Sequence, residues 1–124
     1  MKDDCLFCKI IKKEIPSKTL YEDDDVIVIL DAFPNTDGHT LVIPKKHYED
    51  VYNVPNEVLI KMMDIGKIYA PKIMNSLNKP ALTFLFNYGE SQAIKHIHLH
   101  LLPCFQKPTH DYSNDEVFEL INKE

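Results

Sequence analysis

The sequence contains no tryptophan and only three glycines among its 124 residues. The P-loop and the dinucleotide-binding fingerprint both need glycines at close, fixed spacing. The glycines of this chain stand at positions 38, 66 and 89. They are too far apart to form either motif, so both glycine-rich nucleotide loops are excluded.

The chain also lacks a long hydrophobic run, because nowhere do about 18 apolar residues follow one another. A membrane-spanning helix is therefore not expected. The N-terminal segment, MKDDCLFCKI, carries two adjacent acidic residues and has no apolar core. A signal peptide needs such a core, so we expect none and predict a cytoplasmic protein.

Positive charge is in short supply: 14 basic residues stand against 19 acidic residues, and the net charge is −5. A protein that coats nucleic acid needs a basic surface, so we expect no nucleic-acid partner. Hydrophobic residues make up 44% of the chain and charged residues 27%, as in an average globular protein. The length suits one domain, which we expect to span residues 1–124.

The pattern of apolar residues predicts both strands and helices. Strands are predicted to start in 17–21 and to cover 26–30, 39–43, 81–86 and 96–102. Apolar residues spaced three and four apart predict a helix from Asn56 to about Leu77, which Pro71 is expected to kink or end. A short helix is expected near 114–121, with Asn114 as its N-cap. The predicted fold class is α+β with a mainly antiparallel sheet.

Three of the six histidines stand at alternate positions, His96, His98 and His100. Alternate residues of a strand share a face, so these side chains should point one way while Ile97 and Leu99 point into the core. Same-face neighbours lie about 6.8 Å apart, too far for three histidines on a straight strand to bind one metal ion. At least one is left for chemistry, since imidazole is a general acid–base and a nucleophile toward phosphorus. A solvated, histidine-rich strand face is the alternative.

Cys5 and Cys8 form a Cys-x-x-Cys motif, whereas Cys104 has no partner at motif spacing. An odd number of cysteines in a reducing compartment argues against a disulfide framework. Cys5 and Cys8 supply half of a tetrahedral zinc site, and His47 and His96 are natural candidates for the other half. A redox pair, or two thiols without a special role, are the alternatives. Cys104 is expected to be buried and inert.

Residues 96–102, HIHLHLL, follow the pattern His-φ-His-φ-His-φ-φ, in which φ is apolar. With this motif the sequence resembles the histidine triad (HIT) family of nucleotidyl hydrolases and transferases. Two further segments resemble the family in the same order, CLFCKIIKKEIPSKTLYEDDDVIVILD and GHTLVIPKKH. The resemblance covers nearly the whole chain. It implies a five-stranded, mainly antiparallel sheet with one long helix and a short C-terminal helix.

The resemblance also implies a reaction. His98 matches the nucleophile that attacks the α-phosphate of a nucleotide and forms a nucleotidyl-histidine intermediate, which water then hydrolyses. His100 matches the residue that contacts the phosphate and helps the leaving group, and His39 matches a supporting active-site histidine. The expected function is hydrolysis of AMP-linked substrates such as purine nucleoside 5′-phosphoramidates by a homodimer.

Binding residues are implied in the same way. Asp31 matches the carboxylate that takes the ribose hydroxyls, although aspartate is also common where a strand ends. Three residues match the lining of the base pocket, namely Leu6, Phe7 and Ile29. Two further residues, Asn87 and Gln92, match polar residues near the phosphate and the leaving group. For the apolar residues a plain core role is the alternative, and for Asn87 an ordinary turn. Four residues match the ligands of one structural zinc ion per chain: Cys5, Cys8, His47 and His96.

The segment before the histidine row departs from the family pattern. The loop Glu90-Ser91-Gln92-Ala93 is two residues shorter than in many members, and Ala93 offers no hydroxyl to a phosphate. The leaving group is therefore left open. Alternatives are a dinucleoside polyphosphate hydrolase, a nucleotide-binding module without turnover and a zinc-dependent structural protein. A uridylyltransferase is disfavoured, because that branch has glutamine at the position of His100.

Overall fold

The computed structural model describes residues 2–123. The helices of this range are α1 (Leu6–Ile11), α2 (Asn56–Leu77) and α3 (Asn114–Asn122). The strands are β1 (Thr19–Glu22), β2 (Val26–Leu30), β3 (Thr40–Pro44), β4 (Leu82–Leu85) and β5 (Leu99–Pro103). A 3-10 turn at Gly89–Ser91 lies between β4 and β5. Among the described helices, none has the length and apolar character needed to cross a bilayer.

The strands form one antiparallel five-stranded sheet in the order β1-β2-β3-β5-β4. This confirms the α+β fold class and the five-stranded sheet. β2 and β3 are buried along their whole length, as their β-branched apolar sequences predict. β5 lies between β3 and β4, with Val42 opposite Leu99 and Leu41 opposite His100. The chain that carries the histidine row therefore enters the sheet near its centre.

Side chains of the central strands alternate between two hydrophobic clusters on opposite faces. On one face Val28 and Val42 pack with residues of α2 and α3, and on the other Ile29 and Leu41 pack with residues of α1. Ile97, Leu99 and Leu101 all belong to the α2 side. The intervening histidines consequently face the α1 side, as the two-residue period predicts.

β5 is shorter than the sequence predicts, because it begins at Leu99 rather than at His96. Its pairing with β3 runs only from Val42–Leu99 to Thr40–Leu101. Residues 96–98 are held by other bonds: the Ile97 amide donates to the carbonyl of Tyr48 at 2.8 Å. The extended alternation continues upstream of the ladder, so the histidine row keeps its predicted face.

Both predicted helices exist, and two details of their ends differ from the prediction. α2 does not end at Pro71 but continues to Leu77, because Ala70 and Ile73 bury its last turns against the core. The N-cap of α3 is Ser113, not Asn114. The Ser113 hydroxyl accepts from the Glu116 amide at 3.1 Å and the Glu116 carboxylate accepts from the Ser113 amide at 2.9 Å, a complete capping box.

The sequence pattern did not predict α1, which has only six residues and thus fewer than two turns. Its N-cap is Cys5, whose sulfur accepts from the Cys8 amide at 3.4 Å. The helix buries Phe7, Cys8 and Ile10 against the sheet. A segment this short shows no helical period, and its position depends on these tertiary contacts.

The turn between β2 and β3 passes close to the end of α2. Gly38 has a φ of +82°, and a Cβ there would lie 2.5 Å from Leu77 Cδ1. Only glycine fits both the backbone conformation and the space. The close approach fixes the backbone immediately before His39.

Candidate functional site

A cavity of about 680 Å³ opens on the α1 face of the sheet. Leu6, Phe7 and Ile10 of α1 line it, together with Ile29 and Leu41 of the sheet. Its polar lining residues include Asp31, Asn87, Ser91, His98, His100 and Asn114. An apolar wall with a few polar groups is typical of a small-molecule site.

Most of the residues predicted to bind nucleotide line this cavity. They are Leu6, Phe7, Ile29, Asp31 and Asn87, together with the two predicted catalytic residues His98 and His100. Phe7 and Ile29 are each 3% exposed, so they belong to the core as well as to the cavity wall. Leu6 is 42% exposed, which leaves it at the surface of α1.

The structure does not bring Gln92 to the cavity wall. Its side chain is 4% exposed, and Nε2 donates to the carbonyls of Glu49 at 2.6 Å and Ile94 at 3.0 Å. Both amide protons are thereby used to join two loops. The proximity to a phosphate implied by the family resemblance has no support in this geometry, and the physical reason is this pair of backbone acceptors.

His39 lies behind the cavity wall, in contact with His100. The Asn35 amide donates to Nδ1 of His39 at 3.0 Å, so the neutral His39 ring carries its proton on Nε2. Nε2 of His39 then donates to Nδ1 of His100 at 2.9 Å. Oδ2 of Asp31 lies 3.6 Å from the same Nε2. This chain of contacts fixes the tautomer of both histidines.

His100 therefore carries its own proton on Nε2, next to Asn87. The Asn87 amide nitrogen lies 3.2 Å from this atom. Both nitrogens are donors, so the amide must turn over to accept the proton through its oxygen. A ligand oxygen or nitrogen in the cavity competes with Asn87 for the same N–H. His100 thus presents a hydrogen-bond donor.

His98 has the opposite arrangement. Its Nδ1 donates to the carbonyl of His96 at 2.7 Å, which places the ring proton on Nδ1. The lone pair of Nε2 is left free on a side chain that lines the cavity and is 8% exposed. A neutral imidazole with a free lone pair is a nucleophile.

Burial keeps these rings neutral. It lowers the pKa of His98 and of His39 below the ordinary histidine value. Burial also lowers the pKa of His100 to about 3, and the nearby His98 and His39 rings act in the same direction. Near neutral pH the two histidines of the cavity wall therefore offer one imidazole lone pair, on His98, and one imidazole N–H donor, on His100.

A second group of side chains meets beside the cavity. Cys5, Cys8, His47 and His96 each place a ligand atom within 4.8 Å of the others. Cys5 Sγ lies 3.4 Å from His96 Nδ1, and Cys8 Sγ lies 3.3 Å from His47 Nδ1. The structure thus brings together the four residues that the sequence nominated for a metal site, whereas a redox pair does not account for two histidines at the sulfurs.

The orientation of His96 fits metal binding. Its Nε2 donates to the carbonyl of Pro44 at 2.7 Å, so the lone pair of Nδ1 faces the two sulfurs. Metal-binding histidines characteristically donate their other N–H to such an acceptor. Burial lowers the pKa of His96 to about 4, which keeps the ring neutral and able to ligate. Two sulfurs and two imidazole nitrogens are a donor set that zinc accepts.

Several cavity residues were not foreseen from the sequence. Asn114 was interpreted as a helix cap, yet its Nδ2 donates to the carbonyl of Asp31 at 2.8 Å and the side chain lines the cavity. Ser17 and Lys18, just before β1, also line it. Only the return of α3 to the end of β2 brings Asn114 here, and no local pattern signals that contact.

Comparison with known proteins agrees with the geometry. The HIT domain family matches residues 12–107. The protein Hit of Bacillus subtilis is 39% identical over 107 residues, covering 85% of this chain and 74% of that protein. The adenylylsulfatase HINT3 of Arabidopsis thaliana is 37% identical over 105 residues, covering 83% of this chain and 53% of that protein.

Solved structures show the same fold. A zinc-bound histidine triad family protein from Mycobacterium smegmatis superposes with a TM-score of 0.88 at 33% identity, over 97% of this chain and 91% of that one. A HIT family member from Bacillus subtilis has a TM-score of 0.79 at 34% identity, over 98% of this chain and 94% of that one. The family match covers more than half of the chain and carries the histidine row. The chain belongs to the histidine triad family.

Proposed function

We propose that this protein hydrolyses AMP-linked substrates, of which purine nucleoside 5′-phosphoramidates are the type, through a nucleotidyl intermediate on His98. The observation that carries the proposal is the pair of opposite tautomers in one cavity. His98 offers a lone pair on Nε2 and His100 offers an N–H on Nε2. Attack at phosphorus needs a nucleophile and a donor for developing negative charge.

In the first step Nε2 of His98 attacks the α-phosphorus, and the bond from phosphorus to the leaving group breaks. The carbonyl of His96 accepts from Nδ1 and stabilises the positive charge that the ring gains. Nε2–H of His100 donates to the leaving atom as it departs. His39 acts as a positioning residue, because it holds His100 in the donor tautomer.

In the second step water attacks phosphorus and the bond to Nε2 of His98 breaks. The leaving amine takes up one proton from solvent in the first step, and the attacking water releases one proton to solvent in the second, while the Nε2–H of His100 serves only as a hydrogen-bond donor. The two steps together consume one water and release AMP and the amine. The lone pair returns to Nε2, so the site is ready for another substrate.

The binding roles follow from the cavity wall. We assign the base to the apolar side formed by Leu6, Phe7 and Ile29, and the ribose hydroxyls to the Asp31 carboxylate. Asn87 stands beside His100 and is assigned to the phosphate side. The name of the plant relative, an adenylylsulfatase, places an adenylyl group in that protein's substrate and supports an AMP-type ligand here.

We further propose that Cys5, Cys8, His47 and His96 hold one structural zinc ion per chain. When bound, the ion supplies a cross-link between α1, the segment after β3 and the segment before β5. The donor set and the orientation of His96 support this assignment. Thiolate ligands persist in a reducing compartment, which supports a cytoplasmic location.

We also propose that two copies form a homodimer by joining the edges of their sheets. β4 is an edge strand of the described sheet, and its Phe84 is 40% exposed. An edge strand has free backbone donors and acceptors that a second copy can pair. Analytical ultracentrifugation tests this assembly, and a monomer at micromolar concentration would contradict it.

The experiment that tests the reaction is a single turnover with an adenosine phosphoramidate labelled in the AMP moiety. Intact-mass analysis after quenching should show an adduct of AMP mass, and peptide mapping should place it on His98. His98→Ala should give no adduct and no AMP release. His110→Ala changes an exposed histidine and should behave as the wild type. AMP binding without adduct or release in the wild type would instead indicate a nucleotide-binding module.

A further inference from the structure

α1 belongs to the metal cluster and to the cavity wall at once. Cys5 is its N-cap and Cys8 lies in its first turn. Leu6 and Phe7, between the two sulfurs, line the cavity. A ligand that fixes both sulfurs therefore fixes the backbone of the two wall residues between them.

His98 depends on the same cluster from the opposite side. It lies one residue before the start of β5 and so outside the ladder of the sheet. The carbonyl that orients its Nδ1 proton belongs to His96, whose side chain faces the two sulfurs. The nucleophile is thus oriented by the backbone of a predicted metal ligand.

Phe7 links these two parts directly. Its ring packs edge-on against His96 with 5.9 Å between centroids, and edge-on against His98 with 4.9 Å between centroids. A shift of α1 away from the sheet removes the aromatic contact from His98. It also opens the apolar side of the cavity.

Because α1 is short, we expect its shift away from the sheet to need less free energy when the cluster residues are not held together. Helices shorter than about 12 residues are marginal by themselves, and α1 has six. Besides its buried apolar side chains, α1 is tied to the rest of the chain through the sulfur contacts to His47 and His96, and surface ion pairs of Lys2 with Glu49 and of Lys13 with Glu22 flank it. Local opening of such a unit needs less free energy than global unfolding.

We propose that the Cys5, Cys8, His47 and His96 cluster positions α1 and His98, so that metal occupancy controls nucleotide binding. The identity of the nucleotide rests on the proposed function, whereas the positioning of α1 and His98 does not. The core on the opposite face of the sheet contains none of the cluster residues. Loss of the metal should consequently loosen one side of the molecule.

Amide hydrogen exchange of the full chain, with bound Zn²⁺ and after chelation, tests the positioning. After chelation we expect exchange in residues 6–11 and 96–98 to accelerate by about tenfold more than exchange in β2 and α2, whose amides follow only the change in global stability. Unchanged exchange in both segments would overturn the proposal. So would a uniform loss of protection, because the metal would then stabilise the whole fold without selecting α1.

Two cysteine variants show whether an effect on AMP binding comes from the cluster or from the loss of any cysteine. Cys8→Ser removes one sulfur, and Cys104→Ser is its control because Cys104 lies outside the cluster. We expect Cys8→Ser to weaken AMP binding by about tenfold, measured by calorimetry, and Cys104→Ser to bind as the wild type. Equal AMP affinity in wild type and Cys8→Ser would contradict the proposal.

Phe7→Leu tests the aromatic contact between α1 and His98 while all four metal ligands stay in place. It should keep one zinc ion per chain, weaken AMP binding and shift the ¹⁵N resonances of the His98 ring. Unchanged His98 resonances would remove Phe7 from the positioning role and overturn the link that the proposal needs.

The two proposals fail in different ways. If exchange in α1 and at residues 96–98 responds to the metal but AMP binds neither form, the proposed function is wrong and the positioning stands. If AMP binds both forms equally and exchange does not respond, the positioning is wrong and the proposed function stands.

Discussion

His96 and His98 are two residues apart in the same extended segment, and the structure leaves opposite ring nitrogens of the two histidines unbonded to the backbone. Nε2 of His96 donates to the carbonyl of Pro44, which leaves Nδ1 facing the sulfurs. Nδ1 of His98 donates to the carbonyl of His96, which leaves Nε2 free at the cavity. One backbone acceptor per ring thus decides which nitrogen is available, and therefore whether a histidine suits a metal or a reaction.

The largest expected effect is the loss of activity when His98, the proposed nucleophile, is replaced. His98→Ala should lower the rate of AMP release by about 10³-fold or more, because among the described residues no other imidazole places a free nitrogen lone pair at the cavity. AMP binding should survive, since the apolar wall and Asp31 are unchanged. Quenched-flow assays and calorimetry measure the two quantities. Turnover close to that of the wild type would remove the nucleophile assignment.

The next largest expected effect is a loss of thermal stability when a histidine of the proposed metal site is replaced. His96→Ala and His47→Ala should each lower the melting temperature by about 10 °C, because a cross-link between distant segments is lost. His47→Ala is the cleaner variant, since it leaves the His96 ring and its packing against Phe7 beside His98 unchanged. Calorimetric melting with and without a chelator measures the shift. If chelation leaves the wild-type melting temperature unchanged, the four residues do not hold a stabilising ion.

A smaller loss of activity is expected when His39, which sets the tautomer of His100, is replaced. His39→Ala removes the donor to Nδ1 of His100, so both tautomers of His100 become populated and kcat should fall by about 30-fold. AMP affinity should change little. His39→Gln keeps an N–H donor and should recover most of the loss. Recovery by glutamine is the readout that separates tautomer control from packing, which both variants disturb.

The pH dependence of stability tests whether the reactive rings stay neutral. Burial, followed by the nearby His98 and His39 rings, lowers the pKa of His100 to about 3, whereas an unfolded histidine titrates near 6.5. Between these values the unfolded chain binds more protons than the folded chain, so stability falls as pH decreases through that window. His100→Gln should lose less stability from about pH 7 to about pH 4, as measured by denaturant unfolding.

The smallest expected effect concerns the loop before the histidine row. Ala93 lines the cavity and offers no hydroxyl. Ala93→Ser adds a donor near the phosphate side and should raise the rate of AMP release by about threefold. Assays with a phosphoramidate and a dinucleoside polyphosphate in parallel show which leaving group gains. A gain for neither substrate would separate this loop from the chemistry.

The sequence predicted the common face of the histidine row because strand alternation is a local property. The alternation persists at His96 and His98, even though neither residue is paired in the sheet. The start of β5 was predicted too early, since the end of a ladder depends on partner strands that a local pattern does not contain. The Cys-x-x-Cys motif was recognised for a similar reason, through its own short spacing.

Longer-range features escaped prediction. Asn114 was interpreted as a cap, whereas Ser113 caps the helix and Asn114 reaches Asp31 across the fold. Gln92 was placed near a phosphate by resemblance, whereas two backbone carbonyls hold its amide elsewhere. The Ser113 cap is a local box with Glu116 that the sequence does carry, whereas the contacts of Asn114 with Asp31 and of Gln92 with Glu49 depend on distant segments. The same limit applies to α1, which exists because of what it packs against.

The position of β5 in the sheet has a consequence for how the molecule is made. Cys5 and His96 are 91 residues apart in sequence, and β5 must insert between β3 and β4 before they meet. Contacts over such separations form late in folding, because closing a long loop costs chain entropy before the strands gain the free energy of pairing. During synthesis the N-terminal sulfurs emerge long before either strand edge is filled. The four side chains reach the arrangement of the structure only once β5 stands in the sheet, so this arrangement marks a chain whose sheet is complete.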